Sequence, residues 1–133
     1  MTFFDTARFY TDSEEKLGAA FEGMREKVFI STKTMAKDVE GFWKDLETSL
    51  RTLKTDYIDI YMLHRDDLDT EVAVAVETFN AMHEEGSIGA FGASNWTHTR
   101  IEEANEYAYK HNLIPFSVSS PNFCLARQVE DPW

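Results

Sequence analysis

Five short apolar runs recur along this chain with helix-like segments between them, and that alternation limits the fold more than any other feature of the sequence. The runs begin near Phe3, Val28, Ile58, Ile88 and Phe116, about twenty-five to thirty residues apart, the length of one strand, one helix and their connections. In the first intervening segment Leu17, Ala20, Phe21 and Met24 fall at the spacing of one buried stripe, with Thr11 and Glu14 placed as a capping box. Asp38 stands as an N-cap before Phe42, Leu46, Leu50 and Leu53. Val72, Ala75, Val76, Phe79 and Met82 make a third stripe that stops at Gly86, a helix-ending residue. The fourth helix opens at Thr97, where Trp96 and Ile101 form a hydrophobic staple, and continues through Ala104 and Ala108. Five strands alternating with four helices predict an α/β fold around a parallel sheet with right-handed crossovers.

Two architectures share that alternation. A closed (β/α)8 barrel takes about 250 residues, and 133 residues with five strands come to near half of that. A doubly wound open sheet is complete at this length, but it is usually marked by a Gly-rich turn after the first strand. Residues 6–13, Thr-Ala-Arg-Phe-Tyr-Thr-Asp-Ser, contain no glycine. We therefore expect a partial (β/α)8 TIM barrel, residues 1–133 forming one incomplete domain. The chain starts almost inside its first strand and ends at Asp131-Pro132-Trp133 without a closing helix, so both ends read as cut.

Apolar residues at 43% and aromatics at 14% suffice for a packed core. A lone cysteine, Cys124, excludes an intramolecular disulfide and suits a reducing, cytoplasmic setting. No apolar run approaches the roughly 18 residues of a membrane helix. The net charge of −11 comes from 24 acidic against 13 basic residues, which argues against nucleic acid and anionic membranes as partners, since both need a basic footprint. Most acids, among them Glu14, Glu15, Glu22, Asp45, Glu47, Glu84, Glu85, Glu102 and Glu103, are expected on solvated helix faces.

Three ionisable residues close separate strand-like runs: Asp5, Lys33 and His64, with Tyr10 just beyond the first. A parallel barrel gathers the C-terminal ends of its strands at one mouth. Each residue alone has an ordinary structural explanation, such as a turn carboxylate, a packing aromatic, a paired lysine or a rim histidine. Together they form a proton-transfer device. Tyrosine, with a free pKa of about 10, is a poor acid at neutral pH unless a nearby cation stabilises its phenolate. Lys33 supplies that cation, Asp5 keeps it charged and oriented, and a neutral His64 donates a hydrogen bond to a carbonyl oxygen. His64 with Asp66 and Asp67 looks superficially like a metal set, but no second strand-end histidine joins them, and no metal site is expected.

The segments Phe-Phe-Asp-Thr-Ala-Arg-Phe-Tyr (3–10), Val-Phe-Ile-Ser-Thr-Lys (28–33), Leu-Glu-Thr-Ser-Leu-Arg-Thr-Leu-Lys-Thr-Asp-Tyr-Ile-Asp-Ile-Tyr-Met-Leu-His (46–64) and Gly-Ala-Ser-Asn-Trp (92–96) resemble the aldo-keto reductases, in order and at the expected separations. The resemblance runs from Phe3 to about Ala126 and makes the five runs barrel strands two to six, without the first strand and the last two βα units. It implies a catalytic tetrad of Asp5, Tyr10, Lys33 and His64, with Tyr10 as general acid. It also implies that Ser94 and Asn95 hold the nicotinamide carboxamide of NADP or NAD. The implied reaction is reduction of a small-molecule aldehyde or ketone to an alcohol. Thr11 replaces a usual glycine, Ser120 aligns with a usual glutamine, and Phe123 and Cys124, which replace a common Tyr-Asn pair, are expected to pack at the barrel rim. A noncatalytic nucleotide-binding regulatory subunit of the same fold and an inactive truncated fragment are the alternatives. An open half barrel exposes two strand edges, which invites self-association. The loop Arg65-Asp66-Asp67-Leu68-Asp69 is expected to be a solvated connection, with contact to the substrate as the alternative.

Overall fold

A computed structural model describes residues 2–121. The strands are β1 (Phe3–Asp5), β2 (Phe29–Thr34), β3 (Ile58–Leu63), β4 (Ile88–Ser94) and β5 (Val118–Ser120). They pair in parallel, in the order β1-β2-β3-β4-β5. That unbroken order has no reversal point, which a doubly wound sheet requires. The chain is an arc of a (β/α)8 barrel, with helices α1 (Ser13–Ala20), α2 (Val39–Leu53), α3 (Val72–Glu84) and α4 (His98–Lys110) in the crossovers. Each helix packs against the next. Phe123 and Cys124 lie outside the described residues.

The core forms between the helices and the convex face of the sheet. Strand residues alternate between faces, so Ile30, Tyr61, Leu63, Phe91 and Ala93 join the helix stripes in one cluster. Phe79 of α3 is its hub, with ring centroids 5.5 Å from Phe42, 5.3 Å from Tyr61 and 5.9 Å from Phe91. Three of the expected helix starts and stops are present. The Asp38 carboxylate accepts from the Gly41 amide at 2.7 Å, Thr97 Oγ1 accepts from the Arg100 amide at 3.2 Å, and Gly86 turns out of α3 at φ +79°.

Helix α1 departs from expectation in three ways. No side chain caps it, its buried residues are Glu14 and Gly18, and Ala20 and Met24 are exposed. The helix is short and lies so close to α2 that a Cβ on Gly18 would sit 2.3 Å from the Thr52 carbonyl oxygen. That approach turns the line through positions 14 and 18 inward. Glu14 is therefore not a capping or solvated residue. It is 2% exposed and accepts hydrogen bonds from Thr32 Oγ1 at 2.7 Å and Ser49 Oγ at 2.8 Å, with Arg8 at 2.6 Å on its second oxygen. A short 3-10 turn, Arg25–Lys27, leads into β2. Arg25 there binds Asp59 at 2.6 Å and the Val28 carbonyl at 2.8 Å, tying the entrances of β2 and β3 together.

Because the atoms facing Gly18 are backbone, Gly18→Ala should force α1 away from α2. The expected loss is about 1 to 3 kcal/mol, read as a lower urea midpoint with an unchanged slope.

Candidate active site

Alternation along β2 decides which side chains reach the concave mouth. Thr32 and Thr34 bond outward to Glu14 and to Asp45 of α2, so Lys33 between them faces inward. Its ammonium is 3% exposed and donates to Asp5 Oδ2 at 2.6 Å and to the Thr6 carbonyl at 2.8 Å. A buried ammonium without such partners would surrender its proton. Two of its three N–H donors are used by these contacts.

Tyr10 is carried by the loop between β1 and α1 and is 44% exposed. Lys33 Nζ lies 5.5 Å from the centre of its ring. The ring meets that of His64 edge to face, with centroids 5.4 Å apart at 82°. His64 extends β3 by one residue, its amide donating to the Thr34 carbonyl at 2.8 Å. Burial, followed by the charges of Lys33 and Arg65, holds its pKa below the usual 6.5 against the opposing pull of Asp5. The imidazole is thus neutral at pH 7. Its Nδ1 is shielded from water and has no partner among the described residues.

Ser94 and Asn95 end β4 beside this group. Ser94 Oγ donates to the Ser120 carbonyl at 3.1 Å, the Asn95 amide donates to the same oxygen at 3.0 Å, and Asn95 Nδ2 donates to the His64 carbonyl at 3.1 Å. Asn95 adopts φ +61°, a left-handed turn that asparagine tolerates better than most residues. Asp5, Tyr10, Lys33, His64, Ser94 and Asn95 all line one open cleft of about 890 Å³, to which Ser120 and Leu68 also contribute. All six expected site residues therefore share one mouth.

The loop after β3 is more tightly held than the sequence suggested. Asp66 pairs with Arg100 of α4 at 3.2 Å, both side chains being largely buried, and Arg100 also donates to the Thr70 carbonyl at 2.5 Å. Asp67 pairs with Lys37 at 3.0 Å and accepts from Thr70 Oγ1 at 2.9 Å. Arg65, Leu68, 81% exposed, and Asp69 fit the expected solvated connection. The two aspartates are engaged by cations, and among the described residues no group of three or more His, Cys, Asp or Glu is gathered to hold a metal. Glu14 and Arg100 were missed because a charged residue on a short or polar helix gives no sign of its burial. The one clue is position, since both lie in the first turn of a helix whose N-terminus borders the mouth.

The profile of the aldo/keto reductase family matches residues 1–132. The chain belongs to the aldo/keto reductase family. Among curated relatives of this aldo/keto reductase, the aldo-keto reductase YhdN of Bacillus subtilis is 31% identical over 98% of the chain and 42% of its own length. Methylglyoxal reductase YeaE of Escherichia coli is 36% identical over 77% of the chain and 37% of its own length. A putative voltage-gated potassium channel subunit beta of Schizosaccharomyces pombe is 29% identical over 90% of the chain and 40% of its own length. The chain spans less than half the length of these relatives. Among the described residues no helix is long and apolar enough to cross a membrane.

The lowered His64 pKa fixes the sign of one pH effect. The unfolded histidine binds a proton more readily than the folded one, so its contribution to stability is complete above about pH 6.5 and is lost as pH falls through the folded value. Thermal unfolding between pH 7.5 and 5 should show a falling midpoint, and His64→Gln should flatten that slope.

Proposed function

We propose that this aldo/keto reductase carries the proton-transfer and nicotinamide-binding side of an NAD(P)H-dependent site that reduces an aldehyde or ketone to an alcohol. The observation that carries the reading is the buried Lys33 ammonium paired at 2.6 Å with Asp5, which opens onto the cleft, beside Tyr10 and a neutral His64. Tyr10 donates the proton to the carbonyl oxygen. At 5.5 Å from the ring centre, the Lys33 ammonium favours the phenolate that remains. Asp5 keeps that ammonium charged and aimed. His64 donates a hydrogen bond to the same carbonyl oxygen and orients it. The exposure of Tyr10 to the cleft lets solvent restore its proton.

NADP or NAD, when bound in its reduced form, supplies the hydride. A carboxamide needs both an acceptor and a donor, and the end of β4 offers both. Ser94 Oγ gives its hydrogen to Ser120 and keeps its lone pairs, while Asn95 Nδ2 has a second N–H beyond the one used on His64. Ser120 stands opposite Ser94 in register and holds the pair through its carbonyl. Our reading includes a small carbonyl substrate and a cytoplasmic setting, the latter resting on the single Cys124. Self-association through the outer edges of β1 and β5 also belongs to it. The relative named as a potassium channel subunit is compatible with, without favouring, a second reading, in which the chain binds nucleotide and regulates a partner without turnover.

Carbonyl-dependent oxidation of NADPH should fall about a hundredfold or more in Tyr10→Phe and comparably in Lys33→Met, with NADPH binding, followed by fluorescence, retained. Binding by the unaltered protein with no turnover of any aldehyde or ketone tested would support the regulatory reading instead.

A further inference from the structure

Tyr10 makes no side-chain hydrogen bond with the described residues, so its aim depends on the loop that carries it. That loop is tied by its backbone to β2 at one end: the Thr6 amide donates to the Ser31 carbonyl at 2.8 Å and the Arg8 amide to the Lys33 carbonyl at 3.0 Å. It closes on itself through the Tyr10 amide to the Ala7 carbonyl at 3.0 Å and the Ser13 amide to the Tyr10 carbonyl at 2.8 Å, and Thr11 takes φ +46°. Among the described residues its one ion pair to the interior is Arg8 with Glu14 at 2.6 Å. The other oxygen of Glu14 accepts from Thr32, the residue before Lys33, and from Ser49 of α2.

We infer that Glu14 is a positioning residue for Tyr10, fixing the tyrosine loop and the Lys33 strand to one buried carboxylate. Glu14 does not line the cleft and lies on the far side of β2 from it, bonded to Thr32 and Ser49. A carboxylate suits the task because it is acceptor-only on both oxygens. One oxygen faces two hydroxyls from the scaffold and the other faces the guanidinium from the loop. Glu14 thereby adds a side-chain tie between the tyrosine loop and the Lys33 strand to the two backbone hydrogen bonds that already join them. This inference rests on the proposed general-acid role of Tyr10.

The two arms of Glu14 can be cut separately. Glu14→Gln keeps an acceptor for Thr32 and Ser49 but turns an N–H toward Arg8, and Arg8→Met breaks the same arm from the other side. Ser49→Ala loosens only the scaffold arm. The protein is labelled with 3-fluorotyrosine, and Tyr10 among the five tyrosines is assigned by its loss in Tyr10→Phe. Well below the unfolding temperature, Glu14→Gln and Arg8→Met should shift or broaden the Tyr10 resonance. They should lower kcat about tenfold to a hundredfold with KM within about threefold, and Arg8→Lys should recover part of the loss. Ser49→Ala should lower the unfolding midpoint and leave the resonance and kcat in place. An unchanged Tyr10 resonance and kcat in Glu14→Gln and Arg8→Met would overturn the inference, as would equal losses in Ser49→Ala. If the unaltered protein reduces no carbonyl, the catalytic reading fails, and the fluorine spectra still decide whether Glu14 positions Tyr10.

Discussion

Alternation of side chains along β2 is the constraint on which both the core and the candidate site depend. Ile30, Thr32 and Thr34 turn to the helix layer, and Lys33 turns to the cleft. A shift of one residue would exchange the two sets, placing an ammonium against the helices and a threonine in the mouth. The register is held by parallel partners on both sides, Asp5 with Ser31 on β1 and Lys33 with Met62 on β3. The same parity places Phe91 and Ala93 in the core and Ser94 at the mouth of β4. Apolar burial and polar display are thus two readings of one pleat.

Buried charges join elements that the apolar stripes leave independent. Glu14 connects α1, β2 and α2. Arg25 and Asp59 connect the entry of β2 to β3, where Asp59 also accepts from the Ile30 amide at 2.8 Å. Arg100 anchors the loop after β3 to α4 and lies over the Trp96 ring at 5.3 Å. Each of these acids has several donors around it, as a carboxylate withdrawn from water requires. The net charge of −11 is therefore not a uniform surface property, because some of its carboxylates are internal fasteners.

Strands and the longer helices were legible because their signals are periodic and redundant. Phe42, Leu46 and Leu53 on α2, and all five stripe residues of α3, are buried as the spacing predicts. Helix α1 was not legible. Its eight residues span barely two turns, so the stripe written through Leu17, Ala20, Phe21 and Met24 had too few members to outweigh close packing at Gly18. The site was legible where residues end strands, since topology alone gathers Asp5, Lys33, His64 and Ser94. Glu14, Arg8 and Arg100 depend on how neighbouring elements rotate and approach, which no local pattern encodes.

The division of labour within the cleft follows the order of the strands. Asp5, Tyr10, Lys33 and His64 come from β1, β2, β3 and the loop between β1 and α1; the Lys33–Asp5 bond joins neighbouring strands, and the Tyr10 loop reaches over the end of β2 to meet His64 at the end of β3. Ser94, Asn95 and Ser120 come from β4 and β5. One hydrogen bond bridges the two groups, from Asn95 Nδ2 to the His64 carbonyl at 3.1 Å. The bridge lies on the backbone of His64 and leaves its ring free to face Tyr10. On the proposed reading, a nicotinamide held by Ser94 and Asn95 would thereby be referenced to His64, the residue proposed to orient the carbonyl. The two groups of cleft residues are thus aligned through the strands of one parallel sheet and this backbone bridge, with no contact required between Tyr10 and the side chains of Ser94 and Asn95.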